Sequence, residues 1–279
     1  MMRGRIDMLS GLVVVTGASS GIGLELARRA ARDGAELILV ADRDLTEGAA
    51  TARAAGAASV ETVHCDLATE QGIQAVMDAV GGRPVAALIA NAGHGGGGGG
   101  EFLDQAWEEA RHIIDTNVTG TIRLIQLIGR AMRERDDGRI LVTGSVAGHT
   151  PGAFQLVYSS TKAFLNDFAI GLRNELKNTG VSVTCLLPGA TETRFFARAD
   201  LLDTTTGRME KADPAKVAAD GYAAMLADDD QVVSGFVNKL QAIFADILPD
   251  SVVAEMHRRL MESDAHKEIE EARKQAEPV

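Results

Sequence analysis

The stretch Val13–Gly23, VVVTGASSGIG, constrains the fold of this chain more than any other. Its β-branched run reads as a buried strand. Leu24, Leu26, Ala27, Ala30 and Ala31 then mark an apolar stripe at helical spacing. Between strand and helix, Gly17, Gly21 and Gly23 make a turn with little side-chain bulk. A turn of this kind leaves the first N–H groups of the helix exposed, and these attract an anion such as a pyrophosphate. The spacing is G-x-x-x-G-x-G rather than G-x-G-x-x-G. A turn that serves close packing alone looks the same, so the motif is weighed with the rest of the chain.

The unit repeats. Strands are expected at Ala35–Ala41, Val60–Cys65, Val85–Ala90, Arg139–Ser145 and Val181–Leu187. Helical patterns lie between them at Leu45–Ala55, Gln71–Val80, Phe102–Arg135 and Val157–Lys177, the third interrupted at Asn117 and Gly120. Alternation of this kind predicts an α/β, doubly wound Rossmann fold with a central parallel sheet, flanking helices and a helical C-terminal extension. Ligands in such sheets bind beyond the carboxyl ends of the strands. Gly17–Gly23, Asp66, Asn91–Gly93, Ser145 and Pro188–Thr193 all fall there.

Hydrophobic residues make up 46% of the 279, enough for a sizeable core. The net charge of -11 would repel nucleic-acid phosphates. Cys65 and Cys185 lie in apolar runs and read as buried free thiols of a reducing compartment. Met1–Ser10 has no apolar signal core, and no run approaches the roughly 18 residues of a membrane span. A soluble, cytoplasmic protein with no nucleic-acid partner and no metal is expected.

Tyr158 and Lys162 stand four apart on one face of a helix start. A tyrosine titrates near about 10, so acting as a base at neutral pH needs a strong downward shift. A neighbouring ammonium and a cationic nicotinamide ring are the expected sources of that shift. Ser145, at the preceding strand end, is placed to donate to a substrate oxygen. Six consecutive glycines, Gly95–Gly100, form a loop that is either a mobile pocket rim or a tolerated surface expansion.

Thr16–Gly23, Asp66–Leu67, Asn91–Gly93, Asn117, Ser145, Tyr158–Lys162 and Pro188–Gly189 occur in an order that resembles the short-chain dehydrogenase/reductase family, over about residues 10–195. The resemblance implies an oxidoreductase that uses NAD or NADP to interconvert a small-molecule alcohol and a carbonyl compound. In it Tyr158 is the general acid/base, and Lys162 lowers the tyrosine pKa and holds the nicotinamide ribose. Ser145 orients the substrate oxygen, and Asn117 anchors a relay water. The implied cofactor residues are Gly17, Ser19, Ser20, Gly21, Ile22, Gly23, Asp66, Leu67, Asn91, Ala92, Gly93, Tyr158, Lys162, Pro188, Gly189, Thr191 and Thr193. A homodimer or homotetramer is likewise implied.

One departure concerns the cofactor. The family position for an acidic NAD-selecting residue is Ala41 here, followed by Asp42 and Arg43. Asp42 repels a ribose 2′-phosphate and Arg43 attracts one. Because Ser20 adds no positive charge, the balance leans to NAD. Two other readings stay open at this stage: a dinucleotide-sensing regulator without turnover, and a lyase or epimerase on the same scaffold.

Beyond the sixth strand, Arg194–Leu202 sits where the family carries its substrate lid, about 190–213. Phe195, Phe196, Leu201 and Leu202 are expected either to wall an apolar pocket or simply to pack the helix down. Residues 1–248 are read as one cofactor-binding and catalytic domain. Asp228–Asp230 reads as a solvated turn, and Gln231–Gly235 as an edge strand. Helices are expected over Asn238–Leu248 and Asp250–Met261. Residues 249–279 form an extension whose charged tail, from Glu262, is expected to be frayed.

Overall fold

The structure is a computed structural model and describes residues 4–96, 100–235 and 248–269. Seven strands run parallel: β1 (Leu12–Thr16), β2 (Glu36–Ala41), β3 (Ser59–His64), β4 (Val85–Ala90), β5 (Gly138–Thr143), β6 (Val181–Leu187) and β7 (Gln231–Val233). Their order across the sheet is β3-β2-β1-β4-β5-β6-β7. From β1 the chain winds outward to β2 and β3, then returns past β1 to β4. The reversal opens a crevice beyond the carboxyl ends of β1 and β4, the place where open α/β sheets take their ligands.

Both faces of the central strands are covered, which is why β1, β2 and β4 are near-continuous apolar runs, whereas the edge strand β3 is exposed. Alternate residues serve opposite layers. Val14, Ile38, Leu88, Ile140 and Val183 pack with α3 (Glu70–Val80), α5 (Thr121–Arg135) and α6 (Leu156–Glu175). Val13, Val15, Leu37, Leu39, Ile89 and Leu141 pack with α1 (Gly21–Arg32), α2 (Thr46–Ala55) and α9 (Pro214–Ala227). Burial of whole side chains of this size, at about 1.5–3 kcal/mol each, holds the layers together.

The expected helix over 102–135 divides. A short turn at Phe102–Asp104 precedes α4 (Trp107–Ile114), and a π-helical stretch, Asp115–Gly120, leads into α5. The wider turn carries the buried Asn117 inward, and a Cβ on Gly120 would lie 2.2 Å from the Leu67 carbonyl oxygen. One inserted residue thus reconciles a core polar side chain with a continuous helical path.

Two solvent-facing expectations are corrected. Asp228 is not a solvated turn residue, because Arg173 of α6 donates to its carboxylate at 2.8 Å in a half-buried ion pair. The tail does not fray at Glu262 either: Ser263 and His266 are buried, residues 264–269 are helical, and the His266 ring lies 4.8 Å from that of Phe154. The extension begins with α10 (Asp250–Met261), as expected. Residues 97–99 of the glycine run, the expected helix at Asn238–Leu248 beyond its last residue, and the tail from residue 270 lie outside the described residues. Among the described residues, no helix is long and apolar enough to cross a membrane.

Gly23 shows how tightly α1 is set against the turn: a Cβ there would meet the Gly17 carbonyl oxygen at 2.2 Å and Asn91 Nδ2 at 2.5 Å. Gly171, in the exposed middle of α6, has open space around it. Gly23→Ala is expected to lower the unfolding free energy by about 1–3 kcal/mol through overpacking. Gly171→Ala should raise it by up to about 1 kcal/mol through helix propensity. Denaturant midpoints of the two variants check both signs.

Candidate active site

The crevice opens into a cavity of about 650 Å³. At one end stands the glycine turn. Gly17 and Gly21 adopt φ of 67° and 59°, conformations that a side chain would strain. The N-terminus of α1 has neither a side-chain cap nor an acid in its first turn. Ser19, Ser20, Gly21 and Ile22 present it to the cavity. Uncapped N–H groups at the start of a twelve-residue helix suit a pyrophosphate. Gly23 is not in the cavity wall, so its part is to seat the helix on the turn.

A hydrogen-bonded clasp ties the turn to the neighbouring strands. The Asn91 and Ala92 amides each donate to Thr16 Oγ1 at 3.0 Å, and Asn91 Nδ2 donates to the Thr16 carbonyl at 3.1 Å. Thr143 Oγ1 in turn donates to Asn91 Oδ1 at 3.2 Å. Asn91, Ala92 and Gly93 line the cavity as expected. So do Asp66 and Leu67 after β3, and Pro188, Gly189, Thr191 and Thr193 after β6.

At the other end lies the reactive group. Lys162 is buried and its Nζ donates to the Thr143 carbonyl at 2.8 Å, 5.8 Å from the centre of the Tyr158 ring. The Ser145 hydroxyl hydrogen-bonds the Tyr158 phenol. Asn166 clamps Ser145 through its backbone: Oδ1 accepts from the Ser145 amide at 3.3 Å, and Nδ2 donates to the Ser145 carbonyl at 3.0 Å. Sequence inspection missed Asn166, which sits four residues past Lys162 on the same helix face.

Burial pushes the Tyr158 phenol up to about 12, opposed by the Ser145 hydrogen bond. Burial also pulls the lysine down to about 8. The ammonium turns to a backbone carbonyl rather than to the phenol oxygen, so desolvation governs both groups.

Asn117 is buried behind the cavity wall, and its side-chain amide is engaged by the protein. Oδ1 accepts from the His94 amide at 2.7 Å, and Nδ2 donates to the His94 carbonyl at 2.9 Å and to Thr161 Oγ1 at 3.0 Å. It pins the segment after β4 to α6.

Around the rim, Phe195 and Phe196 of α7 (Phe195–Arg198) and Leu201 wall the cavity, whereas Leu202 faces solvent. The Phe195 ring lies 5.0 Å from Tyr158. A Cβ on Gly95 would come within 2.4 Å of Phe195, so the glycine run begins as a close-approach surface under this lid. Asp42 and Arg43, just past β2, line the cavity 3.7 Å apart, and Arg198 from α7 joins them. Burial and the like charge of Arg43 hold the Arg198 guanidinium below its ordinary value. Cys65, expected to be buried in a strand, falls just past β3 and lines the cavity half-buried. Burial and neighbouring Asp66 and Asp42 push its thiol up to about 11. Among the described residues there is no His, Cys, Asp or Glu group able to hold a metal.

Residues 11–201 match the family model described as short chain dehydrogenase. The chain belongs to the short-chain dehydrogenase family. It is an oxidoreductase of that family. It is 40% identical over 191 residues to an uncharacterized oxidoreductase of Myxococcus xanthus, covering 66% of this chain and 73% of that protein. It is 36% identical over 194 residues to human 17-beta-hydroxysteroid dehydrogenase type 1, covering 67% of this chain and 58% of that protein. A short-chain dehydrogenase from Sphingobium yanoikuyae, solved with NADPH, superposes with a TM-score of 0.75 at 29% identity, over 85% of this chain and 93% of that one. This short-chain dehydrogenase thus carries the family fold well beyond the matched segment.

The depressed Lys162 value has a measurable sign. Since the folded value near 8 lies below the ordinary 10.5, the unfolded chain binds more protons between them, and stability from this group grows as pH rises through that window. The melting temperature of the wild type relative to Lys162→Met is expected to climb from about pH 8 to about pH 10. A flat difference would show a lysine that titrates normally.

Proposed function

We propose that this chain interconverts a secondary alcohol and a ketone, or an aldehyde and its alcohol, by NAD(P)-dependent hydride transfer. Tyr158 is the general acid/base. The observation that carries the reading is the Ser145–Tyr158–Lys162 group standing in one cavity with an uncapped helix N-terminus and its glycine turn. The NADPH in the Sphingobium yanoikuyae structure, with the same fold at 29% identity, supports the cofactor class.

The nicotinamide, when bound, gives or takes the hydride at the substrate carbon. The chain's own residues handle the rest. Ser145, held by Asn166, orients the substrate oxygen. Tyr158 transfers its phenolic proton to that oxygen in reduction and recovers it in oxidation. Burial favours the protonated phenol, the form reduction consumes. Lys162, fixed on the Thr143 carbonyl, places a cation beside the ring and beside Gly93, whose added Cβ would lie 3.4 Å from Nζ. Phe195 and Phe196 shield the reacting atoms from water. Asp42 receives the adenosine ribose hydroxyls in this reading, which is the basis for a lean to NAD; Arg43 and Arg198 pull toward NADP. Trp107 and Ile114 of α4 and Phe164 and Ile170 of α6 leave apolar surface exposed, which supports pairing of copies along these helices.

Absorbance of reduced nicotinamide during turnover of a panel of ketones and alcohols tests the reaction. Tyr158→Phe is expected to lower kcat by about 10²–10⁴-fold while cofactor affinity is kept, because only proton transfer is lost. Unchanged turnover in that variant would overturn the assignment. Asp42→Ala should shift the ratio of kcat/KM toward NADP, since it removes the carboxylate that repels a 2′-phosphate. Kinetics with both cofactors check the direction.

A further inference from the structure

Arg198 lines the cavity from α7, and among the described residues its guanidinium takes part in no hydrogen bond or ion pair. It is half-buried, yet none of its nitrogens is closed off from solvent. Arg43 and Arg194 repel it, and Asp42 attracts it. Arg43 itself reaches Asp42 only loosely, at 3.7 Å, with both side chains about half exposed. Two guanidinium groups therefore share one carboxylate at this part of the wall, on a chain whose net charge is -11. A cation drawn partly out of water beside like charge is costly unless an anion pairs with it. The planar fork of a guanidinium matches the oxygens of a phosphate.

The same short helix reaches the reacting group. Phe195, three residues before Arg198 and beside it on α7, packs its ring 5.0 Å from that of Tyr158. Both ends of the lid rest on the walls of the crevice. At the start, a Cβ on Gly21 would lie 2.7 Å from Thr193 Cγ2, and Thr193 Oγ1 accepts from the Phe195 amide at 3.2 Å. At the far end, a Cβ on Gly95 would lie 3.3 Å from the Ala199 Cβ. The lid thus links Tyr158 to the charges just past β2.

We propose that Arg198 donates to a phosphate group of the bound dinucleotide, and that this bond holds α7 down with Phe195 against Tyr158. Arg198 is then a positioning residue for the lid as well as a cofactor-binding residue. The inference rests on the NAD(P) reading above and adds the lid to the cofactor site. Its partner is a phosphate oxyanion, either a ribose 2′-phosphate or the pyrophosphate. Asp42 and Arg43, at the end of the second strand, favour the first; Thr193 and the glycine turn favour the second.

Dissociation constants of NADH and NADPH, measured by calorimetry on the wild type, Arg198→Met and Arg198→Lys, test the bond. Hydrogen exchange of the amides of residues 193–201 tests the lid. Arg198→Met is expected to weaken binding roughly tenfold, because a charged donor to phosphate is lost. Arg198→Lys should keep part of the affinity, since it keeps the charge. A loss confined to NADPH assigns the 2′-phosphate, and an equal loss for both dinucleotides assigns the pyrophosphate. Saturating dinucleotide should slow exchange in the lid of the wild type and much less in that of Arg198→Met. An arginine that only braces the lid would change the melting temperature of the cofactor-free protein and leave both constants alone. Unchanged constants in Arg198→Met, or the same lid protection at saturation, overturn the proposal. A wild type that binds neither dinucleotide overturns the oxidoreductase reading together with this one. The expected binding pattern with no turnover of any ketone or alcohol supports Arg198 and counts against the oxidoreductase reading alone.

Discussion

The clasp formed by Thr16, Asn91 and Thr143 holds the ligand end of this sheet together. At the reversal point of this open parallel sheet the ladder between β1 and β4 ends at Val15 and Ile89. Beyond it, Thr16 Oγ1 takes the amides of the two residues that follow β4, and Asn91 spans β1 and β5 with the two ends of its amide. Thr143, the other end of the clasp, gives its carbonyl to Lys162. The glycine turn and the buried Lys162 are therefore held by one continuous set of hydrogen bonds. A shift of one end would be felt at the other.

Two consequences follow for the chemistry. Polar groups in the site are satisfied mostly by backbone, so Lys162, Ser145 and Asn117 have little freedom to rearrange. Burial, rather than pairing of charges, governs Tyr158 and Lys162: it raises the phenol and lowers the ammonium, which stays a cation at neutral pH. The lid and the extension add what the sheet cannot. Phe195 covers Tyr158, Arg198 brings charge to the rim beside Asp42 and Arg43, and His257 closes part of the wall.

Much of this was legible in the residues. Apolar runs and helical stripes predicted the β/α alternation because each layer buries a continuous surface, and the strand-end motifs fell where the chain reverses. Errors came where a side chain's partner lies far away in sequence. Asp228 read as solvated because Arg173, its partner, is 55 positions distant. Asn117 read correctly as a helix interruption, but its amide partners, His94 and Thr161, were not legible because they lie 23 and 44 positions away. Residues after Glu262 read as frayed because the Phe154 surface that packs them is not recognisable from composition.

The sequence by itself determined the fold class, the family, and the strand-end residues that line the cavity, because periodicity and strand-end motifs are local and survive without knowledge of packing. Only the tertiary structure decided how those groups behave. It decided that burial shifts Tyr158 and Lys162 in opposite directions, that Asn166 holds Ser145, and that Arg198 joins Asp42 and Arg43 at the cavity. Each depends on desolvation or on contacts between distant elements, and neither leaves a mark in the order of the residues.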